Sequence, residues 1–298
     1  MVYSPSLAIK GKTPFMNKSI RSYIRFFVKN DFLWFFIKPF IKIGDYIHSQ
    51  RQIAISKQLE NDRQIIEVLK EPVVRYGPFK GLIYPEFIYH NDRFFSKIMG
   101  SYEMEISDLI ENLCKKNFDQ IINIGCGDGY YAVGFARRIP SAVVYAYDSS
   151  KRARKHCAQM ASLNRVAGSL KIGNSFAAGM FDQLHFLGHQ LILCDCEGDE
   201  KKIFTAGNLS YFRNCELLIE VHDFIDITTG DYLKEIFSAT HIIRAFKSID
   251  DLSKARNYHF AETDMLDIGL RKIIFEEGRP APMEWYYFIP KQTIPPNE

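Results

Sequence analysis

The sequence predicts an α/β fold: a doubly wound, Rossmann-like sheet of seven strands, closed by an antiparallel hairpin and preceded by a helical N-terminal extension. Two observations predict it. Continuous apolar runs alternate with amphipathic segments from residue 121 to residue 222, as parallel strands buried on both faces require. The first run leads into IINIGCGDGY (121–130), in which three glycines alternate with other residues. One glycine is enough for a tight turn, so three indicate that something approaches the backbone closely.

The predicted strands follow from the apolar runs in chain order. They are IINIG (121–125), AVVYAYD (142–148), SLKIG (169–173), LILCD (191–195) and LLIEVH (217–222). Repetition of strand and helix predicts a parallel, doubly wound sheet. After about residue 240 the alternation stops, and HIIRAFKSI and LRKIIFEEGRPAPMEWYYFIPK have the character of strands. We expect the last of these segments to form an antiparallel hairpin around a turn at Gly278 to Pro282.

The N-terminal extension is basic and rich in aromatic residues. Residues 17–70 are predicted to be helical in two or three pieces, with an interruption at Pro39, and we assign residues 1–74 to the extension and 75–298 to the α/β domain. Residues 1–47 hold eight Lys/Arg and two Asp/Glu, so the head carries +6 and the other 251 residues carry −3. Aromatic and basic residues together are typical of a helix at an anionic membrane surface. The alternative is that the rings pack against the α/β domain or a second subunit.

Composition limits the function classes. A net charge of +3 is too small to predict a nucleic-acid partner, and none is assigned. Six cysteines form no C-x2-C pair and no zinc spacing, so free thiols and a reducing cytoplasm are expected. No signal peptide is visible, and the longest apolar run of the head, Phe32 to Ile37, is too short to span a bilayer. We expect a cytoplasmic protein, with peripheral contact to the inner membrane surface through residues 17–47 as an open alternative.

The glycine turn predicts a nucleotide-like cofactor. The spacing is G-x-G-x-G (Gly125, Gly127, Gly129), and Tyr130 stands where the nicotinamide fingerprint has its last glycine. Asp148 ends the second strand, where a carboxylate can accept both ribose hydroxyls of either cofactor; its alternative role is a helix N-cap. The glycine spacing and the closing hairpin favour S-adenosylmethionine. Two further contacts are predicted, from the amide of Asn174 to the adenine edge and from Tyr102 at the start of a helix.

Two strand ends resemble a known family. LILCDCEGDE (191–200) followed by LLIEVH (217–222) is similar to the signature of FkbM-type class I methyltransferases, and the matching residues are Asp195, Glu197, Gly198, Glu200, Glu220 and His222. The resemblance covers residues 75 to 290. Asn123 stands where many class I enzymes have an acid, and Cys196 replaces the usual apolar residue. The resemblance implies strand order 3-2-1-4-5-7-6 and methylation of a hydroxyl on a glycan, a lipid-linked molecule or a secondary metabolite.

Methyl transfer to oxygen requires a group that takes the hydroxyl proton. His222, Asp195 and Glu197 lie at the ends of the fourth and fifth strands, and an imidazole with an ordinary pKa near 6.5 suits a base at neutral pH. The alternative for His222 is a structural histidine, and Asp195 can instead contact the amino group of the cofactor. Asp195, Glu220 and Asp223 also allow a magnesium site, although no metal ligand is assigned.

Two other functions stay open from the sequence. One is an NAD(P)-dependent oxidoreductase, which lacks support because no Tyr/Lys or His catalytic pair is recognisable. The other is a non-catalytic methyltransferase-like module that uses the head as an interaction surface. For the enzyme we expect a small-molecule or glycan acceptor, and a homo-oligomer is compatible with the sequence.

Overall fold

The computed structural model describes residues 26, 29–85, 94–184 and 188–291. The chain divides into two compact units, Met1–Gln64 and Ile65–Glu298. The division falls inside a long helix, Asp31–Leu69, and before the predicted boundary at residues 74 and 75. None of the helices in these described ranges combines the length and apolar character needed to cross a bilayer.

The larger unit is built on one seven-stranded sheet. Its strands are β1 (Gln120–Ile124), β2 (Val143–Tyr147), β3 (Leu170–Gly173), β4 (Gln190–Cys194), β5 (Cys215–Val221), β6 (His241–Lys247) and β7 (Glu284–Pro290). The order is β3-β2-β1-β4-β5-β7-β6. The first five strands are parallel, and β7 is antiparallel to both β5 and β6. The structure therefore confirms the predicted doubly wound sheet and its strand order.

Helices cover both faces of the sheet, and alternate strand residues pack into two separate cores. The α-helices are α1 (Asp31–Leu69), α2 (Phe94–Met99), α3 (Ser107–Cys114), α4 (Tyr130–Arg138), α5 (Lys151–Leu163), α6 (Glu200–Ile203), α7 (Thr229–Phe237), α8 (Asp251–Asn257) and α9 (Ile268–Phe275). All five residues of β1 are buried; Ile121 belongs to the same core as Val133 of α4, whereas Ile122 belongs to the second core, with Phe181. Burial on both faces explains the unbroken apolar runs of the central strands.

Two helices differ from the prediction, one in its continuity and the other in its first residue. The helix α1 runs through Pro39 without ending. Proline removes one backbone hydrogen bond, and uninterrupted turns on both sides maintain the helix. The predicted helix from Ser101 begins later, with a 3-10 turn at Met104–Ile106 followed by α3, because Glu103 has a left-handed backbone (φ 51°).

The predicted hairpin around Gly278 to Pro282 is wrong. The segment before that turn is the helix α9, whose N-cap Asp267 accepts hydrogen bonds from the backbone of Gly269 and Leu270. Its buried residues, Arg271, Ile274 and Phe275, have helical rather than alternating spacing. The partner of β7 is instead β6, which is distant in sequence. The segment VVRYGPFKGLIYP (73–85), in which the turn residues Gly77 and Pro78 predict a short pair of strands, forms a single antiparallel bridge from Val73 to Ile83.

Candidate active site

A cavity of about 650 Å³ lies at the carboxyl ends of β1, β2 and β4, where ligands bind in open α/β sheets. Six of the predicted site residues line it: Tyr102, Gly125, Gly127, Asp148, Asp195 and Glu197. Gly129, Asn174 and His222 do not line it, although Ser175 and Phe176, which follow Asn174, do. The volume lies within the range of pockets for small molecules and cofactors.

Glycine is needed at the three positions of the turn for different physical reasons. A Cβ atom on Gly125 would lie 1.6 Å from the backbone oxygen of Asp195, so this glycine allows β1 and the end of β4 to approach. A Cβ on Gly129 would lie 3.1 Å from Cys157 of α5, so this glycine serves helix packing. A Cβ on Gly127 meets nothing within 4 Å. Gly127 therefore leaves open the space that a ligand can use, although its left-handed backbone (φ 53°) also favours glycine there. At Gly125 and Gly129 the neighbouring atoms of the protein leave no room for a side chain.

Asp148 is held at the cavity wall by two backbone groups. Its Oδ2 accepts a hydrogen bond from the Gly127 amide at 2.9 Å, and its Oδ1 accepts one from the Ser150 amide at 2.7 Å. The N-cap of α5 is Ser150, so the alternative role of Asp148 as that cap is excluded. Each carboxylate oxygen has a second lone pair, which leaves Asp148 able to accept hydroxyl groups of a ribose.

An ion pair that the sequence did not reveal also lines the cavity. Lys97 of α2 donates to Asp128 at 2.7 Å, and both side chains are largely buried. The Lys97 ammonium lies 4.8 Å from the centre of the Tyr102 ring. Asp128 belongs to the glycine turn and was therefore a visible candidate, but no local pattern marks Lys97, which is distant in sequence.

The second part of the site is a group of side chains that we call the carboxylate–histidine cluster: Asp195, Glu197, Glu200, Glu220 and His222. Asp195 and Glu197 follow β4, Glu200 begins α6, and Glu220 and His222 come from the end of β5. Because β4 and β5 are adjacent and parallel, their ends bring these residues together. Asp195 and Glu197 also line the cavity, so the cluster and the cavity share one wall.

His222 lies at the centre of this cluster and is 1% exposed. Its Nδ1 atom is 2.5 Å from Oε1 of Glu200. Its Nε2 atom faces three other carboxylates, Asp195 at 3.5 Å, Glu197 at 3.5 Å and Glu220 at 3.8 Å. The predicted trio is thus brought together, with His222 beneath Asp195 and Glu197.

A tight backbone turn makes this convergence possible. Glu197 and Gly198 both have left-handed conformations, with φ of 54° and 102°. A left-handed non-glycine residue is strained and is common at functional sites. The Gly198 amide then donates to Glu200 at 3.3 Å, so the loop after β4 folds back over the ring of His222.

The electrostatics of the cluster differ from the sequence-based expectation for His222. Burial lowers the pKa of His222, but the facing carboxylates of Glu197, Glu200 and Asp195 outweigh burial and raise the pKa to about 11. Burial and the charges of Glu220 and Glu103 hold the pKa of Asp195 well above its ordinary range. An imidazole with this pKa is protonated at neutral pH, so it carries a positive charge and has no free lone pair to accept a proton.

A buried arginine network adjoins the cluster and was also missed by sequence reasoning. Arg279 pairs with Glu220, and it donates to Glu103 and Glu277 at 2.9 Å each. Lys254 lies 2.5 Å from Glu277. Arg279 lies in the segment predicted to be a turn, yet its side chain is only 10% exposed. Its burial follows from the tertiary fold and not from a local signal. Asp223 lies outside both groups and accepts from the Gly230 amide at 2.8 Å.

Two comparisons by sequence both find methyltransferases. Residues 105–186 match the family model of the methyltransferase small domain. The chain is 27% identical over 106 residues to a ribosomal RNA large subunit methyltransferase G of Shewanella sediminis, a match over 34% of this chain and 26% of that protein. The chain thus spans about a quarter of the length of this curated relative.

Two solved structures are also similar. One is a precorrin 8W decarboxylase from Methanobacterium thermoautotrophicum (14% identity, TM-score 0.43, 62% of this chain and 89% of that chain). The other is the O-methyltransferase TomG from Streptomyces achromogenes, in complex with SAM (9% identity, TM-score 0.42, 63% and 80%). Taken with the strand order, the family model and the ribosomal RNA methyltransferase relative support a class I methyltransferase, with S-adenosylmethionine as its cofactor.

Proposed function

We propose that this protein transfers a methyl group from S-adenosylmethionine to an acceptor hydroxyl at the wall shared by the cavity and the carboxylate–histidine cluster. One observation carries the proposal. Asp195 and Glu197 line the cavity that the glycine turn opens, and both also face His222. Asp195 and Glu197 therefore belong both to the proposed cofactor site and to the carboxylate–histidine cluster.

The residues around the cavity fit the cofactor. Gly127 leaves space free, and Asp148 presents lone pairs for ribose hydroxyls while its other lone pairs are satisfied by backbone amides. When bound, S-adenosylmethionine supplies an electrophilic methyl group on a sulfonium, and its transfer to oxygen leaves neutral S-adenosylhomocysteine. The protein binds the cofactor and the acceptor, aligns the acceptor oxygen with the methyl group, and excludes water from the site.

The acceptor proton must go to a group of this chain. We assign that role to Glu197. The pKa of Asp195 is held well above its ordinary range, and the pKa of His222 is raised to about 11 by the surrounding carboxylates. The side chain of Glu197 is 64% exposed, so a proton that it accepts can leave to solvent. The buried imidazolium, whose Nε2 lies 3.5 Å from Glu197, holds that carboxylate in place by attraction. His222 thus becomes a positioning residue in this scheme.

We further propose an FkbM-like enzyme and a hydroxyl of a glycan, a lipid-linked molecule or a secondary metabolite as acceptor, on the resemblance of the D-x-E-G-x-E and E-x-H segments. A second candidate acceptor is ribosomal RNA, which the similarity to a ribosomal RNA methyltransferase favours. Transfer of label from S-[methyl-³H]adenosylmethionine to separate glycan, lipid and RNA fractions of a cell extract distinguishes these acceptors. Label in RNA alone would overturn the first choice.

Calorimetric titration with S-adenosylhomocysteine and NADH in parallel tests the cofactor. We expect one site for S-adenosylhomocysteine and no heat from NADH, and the reverse result would favour the oxidoreductase. Asp148→Ala removes a charged acceptor for ribose hydroxyls and should weaken binding by about 1.5–3 kcal/mol. Cofactor binding without turnover on any fraction would favour the non-catalytic module.

A further inference from the structure

We propose that Asp195, Glu220 and His222 form a binding site for a divalent metal ion at the carboxyl ends of β4 and β5. Binding of the ion is independent of the proposed function, whereas its use in methyl transfer rests on that function. The predicted magnesium trio contained Asp223 in place of His222. In the structure Asp223 is directed to the Gly230 amide, and the histidine occupies the position beside the two carboxylates.

The donor atoms have the separations of a coordination shell. One oxygen from each carboxylate and one nitrogen of His222 lie within 4.8 Å of one another. The Nε2 atom is 3.5 Å from Oδ1 of Asp195 and 3.8 Å from Oε2 of Glu220. Donors at about 2.1 Å from a tetrahedral ion are about 3.4 Å apart. Small side-chain rotations are therefore enough to place an ion among these three atoms.

Two of these atoms are buried and have no hydrogen-bond partner among the described residues: Nε2 of His222 and Oδ1 of Asp195. His222 is 1% exposed, and the distances from Nε2 to the carboxylates are beyond ordinary hydrogen bonds. A buried polar atom without a partner is costly, so a ligand that satisfies several such atoms at once stabilises the site. These unpaired atoms are an observation separate from the acidic composition of the cluster.

The far side of the histidine ring is arranged as in metal-binding histidines. Nδ1 contacts the carboxylate of Glu200 at 2.5 Å, and that side chain is fully buried. A histidine whose Nδ1–H donates to a carboxylate presents the lone pair of Nε2 to a metal, in a fixed orientation. Glu220 is fixed in the same manner, because its other oxygen pairs with Arg279. Glu200 and Arg279 therefore act as positioning residues for two of the ligands.

Charge also favours a cation. Acidic side chains outnumber basic ones here: Glu103, Asp195, Glu197, Glu200, Glu220 and Glu277 lie around His222, Arg279 and Lys254. A surplus of negative charge in a buried site must be met by protons or by a bound cation. Histidine binds a metal as the neutral imidazole, so the affinity of the site for the ion should rise with pH.

The donor set indicates which ions fit. Two carboxylates with one imidazole combine hard oxygen with a nitrogen ligand, a set that suits Mn²⁺ or Zn²⁺ better than Ca²⁺. Asp195 lines the cavity, so the ion would be open to the acceptor on that side. A metal-bound hydroxyl loses its proton more readily, and Glu197 at the rim can receive that proton.

Titration of EDTA-treated protein with Mn²⁺, followed by the electron paramagnetic resonance of free Mn²⁺, tests the site. We expect one ion per chain, and at least a 10-fold loss of affinity in His222→Ala and in Asp195→Asn. His259→Ala is the matched control, because His259 contacts Asp264 at 3.1 Å in an exposed histidine–carboxylate pair outside the cluster. Unchanged Mn²⁺ affinity in both cluster variants, or no binding by the wild type, would overturn the proposal.

S-adenosylhomocysteine binding in the same samples separates the two proposals. A wild type that binds S-adenosylhomocysteine but no Mn²⁺ contradicts the metal site and leaves the methyltransferase intact. A wild type that binds Mn²⁺ but no S-adenosylhomocysteine contradicts the proposed function alone. If His222→Ala does not fold, as circular dichroism would show, Asp195→Asn supplies the test, because its shape is conserved.

Discussion

Nδ1 of His222 lies 2.5 Å from Oε1 of Glu200, and both side chains are fully buried. The two residues come from different elements, the end of β5 and the first turn of α6. This contact fixes the plane of the imidazole, so that Nε2 is directed at Asp195, Glu197 and Glu220. The pair therefore sets the geometry on which both the proposed chemistry and the proposed metal site depend.

Removal of this contact should affect turnover more than cofactor affinity. Glu200→Ala frees the ring, and we expect a 10- to 100-fold loss of both Mn²⁺ affinity and methyl transfer, the usual result of losing the partner of a metal-binding histidine. Glu200→Gln keeps an oxygen that accepts from Nδ1–H and should retain more of both. Affinity for S-adenosylhomocysteine should be unchanged in each. Equal turnover in wild type and Glu200→Ala would show that Glu200 has only a structural role.

The glycine turn allows a paired test of ligand space against protein packing. Gly127→Val puts a β-branched residue on a left-handed backbone (φ 53°), which lowers stability, but nothing lies within 4 Å of the new Cβ. The variant should therefore fold with a lower melting temperature and lose S-adenosylhomocysteine binding. Gly125→Ala places a methyl group 1.6 Å from the backbone oxygen of Asp195, so it should unfold or lose several degrees of melting temperature. Calorimetry and thermal unfolding of both variants make the comparison. Full affinity for S-adenosylhomocysteine in folded Gly127→Val would show that the ligand does not bind at this turn.

The sequence predicts the parallel sheet well because its signals are local. Apolar runs mark β1, β4 and β5, and the turn residues mark where they end. The site is predicted only where its residues follow those strand ends, as Asp195 and His222 do. Lys97 and Arg279 are brought in by elements that are distant in sequence, so no spacing indicates them. The pKa of His222 could not be predicted either, because it depends on how closely the carboxylates of Asp195, Glu197 and Glu200 approach a ring that follows the next strand.

The same limit explains the hairpin. LRKIIF is apolar enough for a strand, but Asp267 caps it as a helix, and Arg271 donates to the backbone oxygens of Ala255, Tyr258 and Thr263. These contacts form only when α9 packs against α8 and the loop that follows it in the folded protein. A short apolar run cannot be assigned to helix or strand by periodicity alone.

The N-terminal unit gives a prediction of its own. On α1, Phe32, Phe36 and Phe40 are 72%, 56% and 73% exposed, and the lysines at positions 38 and 42 are exposed beside them. We expect the protein to float with vesicles that contain anionic lipid, and to lose that binding at high salt or in Phe32→Ser/Phe36→Ser/Phe40→Ser. Neutral phosphatidylcholine vesicles are the control. Flotation that is absent, or equal on both kinds of vesicle, would exclude an anionic membrane as the partner of this helix.

Glu103 should make the stability of the protein depend on pH. Burial and the charge of Glu220 raise its pKa from about 4.5 to about 8, against the opposite effect of Arg279. Because the folded pKa is the higher one, the protonated carboxyl contributes stability that is fully present below about pH 4.5 and is lost as the pH rises through about 8. Glutamine resembles the protonated form and does not titrate. Glu103→Gln should therefore gain stability relative to the wild type as the pH rises from 6 to 9.

Urea unfolding of both proteins at pH 6 and pH 9 measures this change. Glu235→Gln is the control, because Glu235 is exposed on α7 and the substitution removes the same charge. The control should follow the wild type at both pH values, whereas the Glu103→Gln midpoint should move upward relative to the wild type at pH 9. A constant difference between Glu103→Gln and wild type would mean that Glu103 is ionised over the whole range. In that case Arg279 would outweigh burial, and the arginine network would be a fully charged ion pair system at neutral pH.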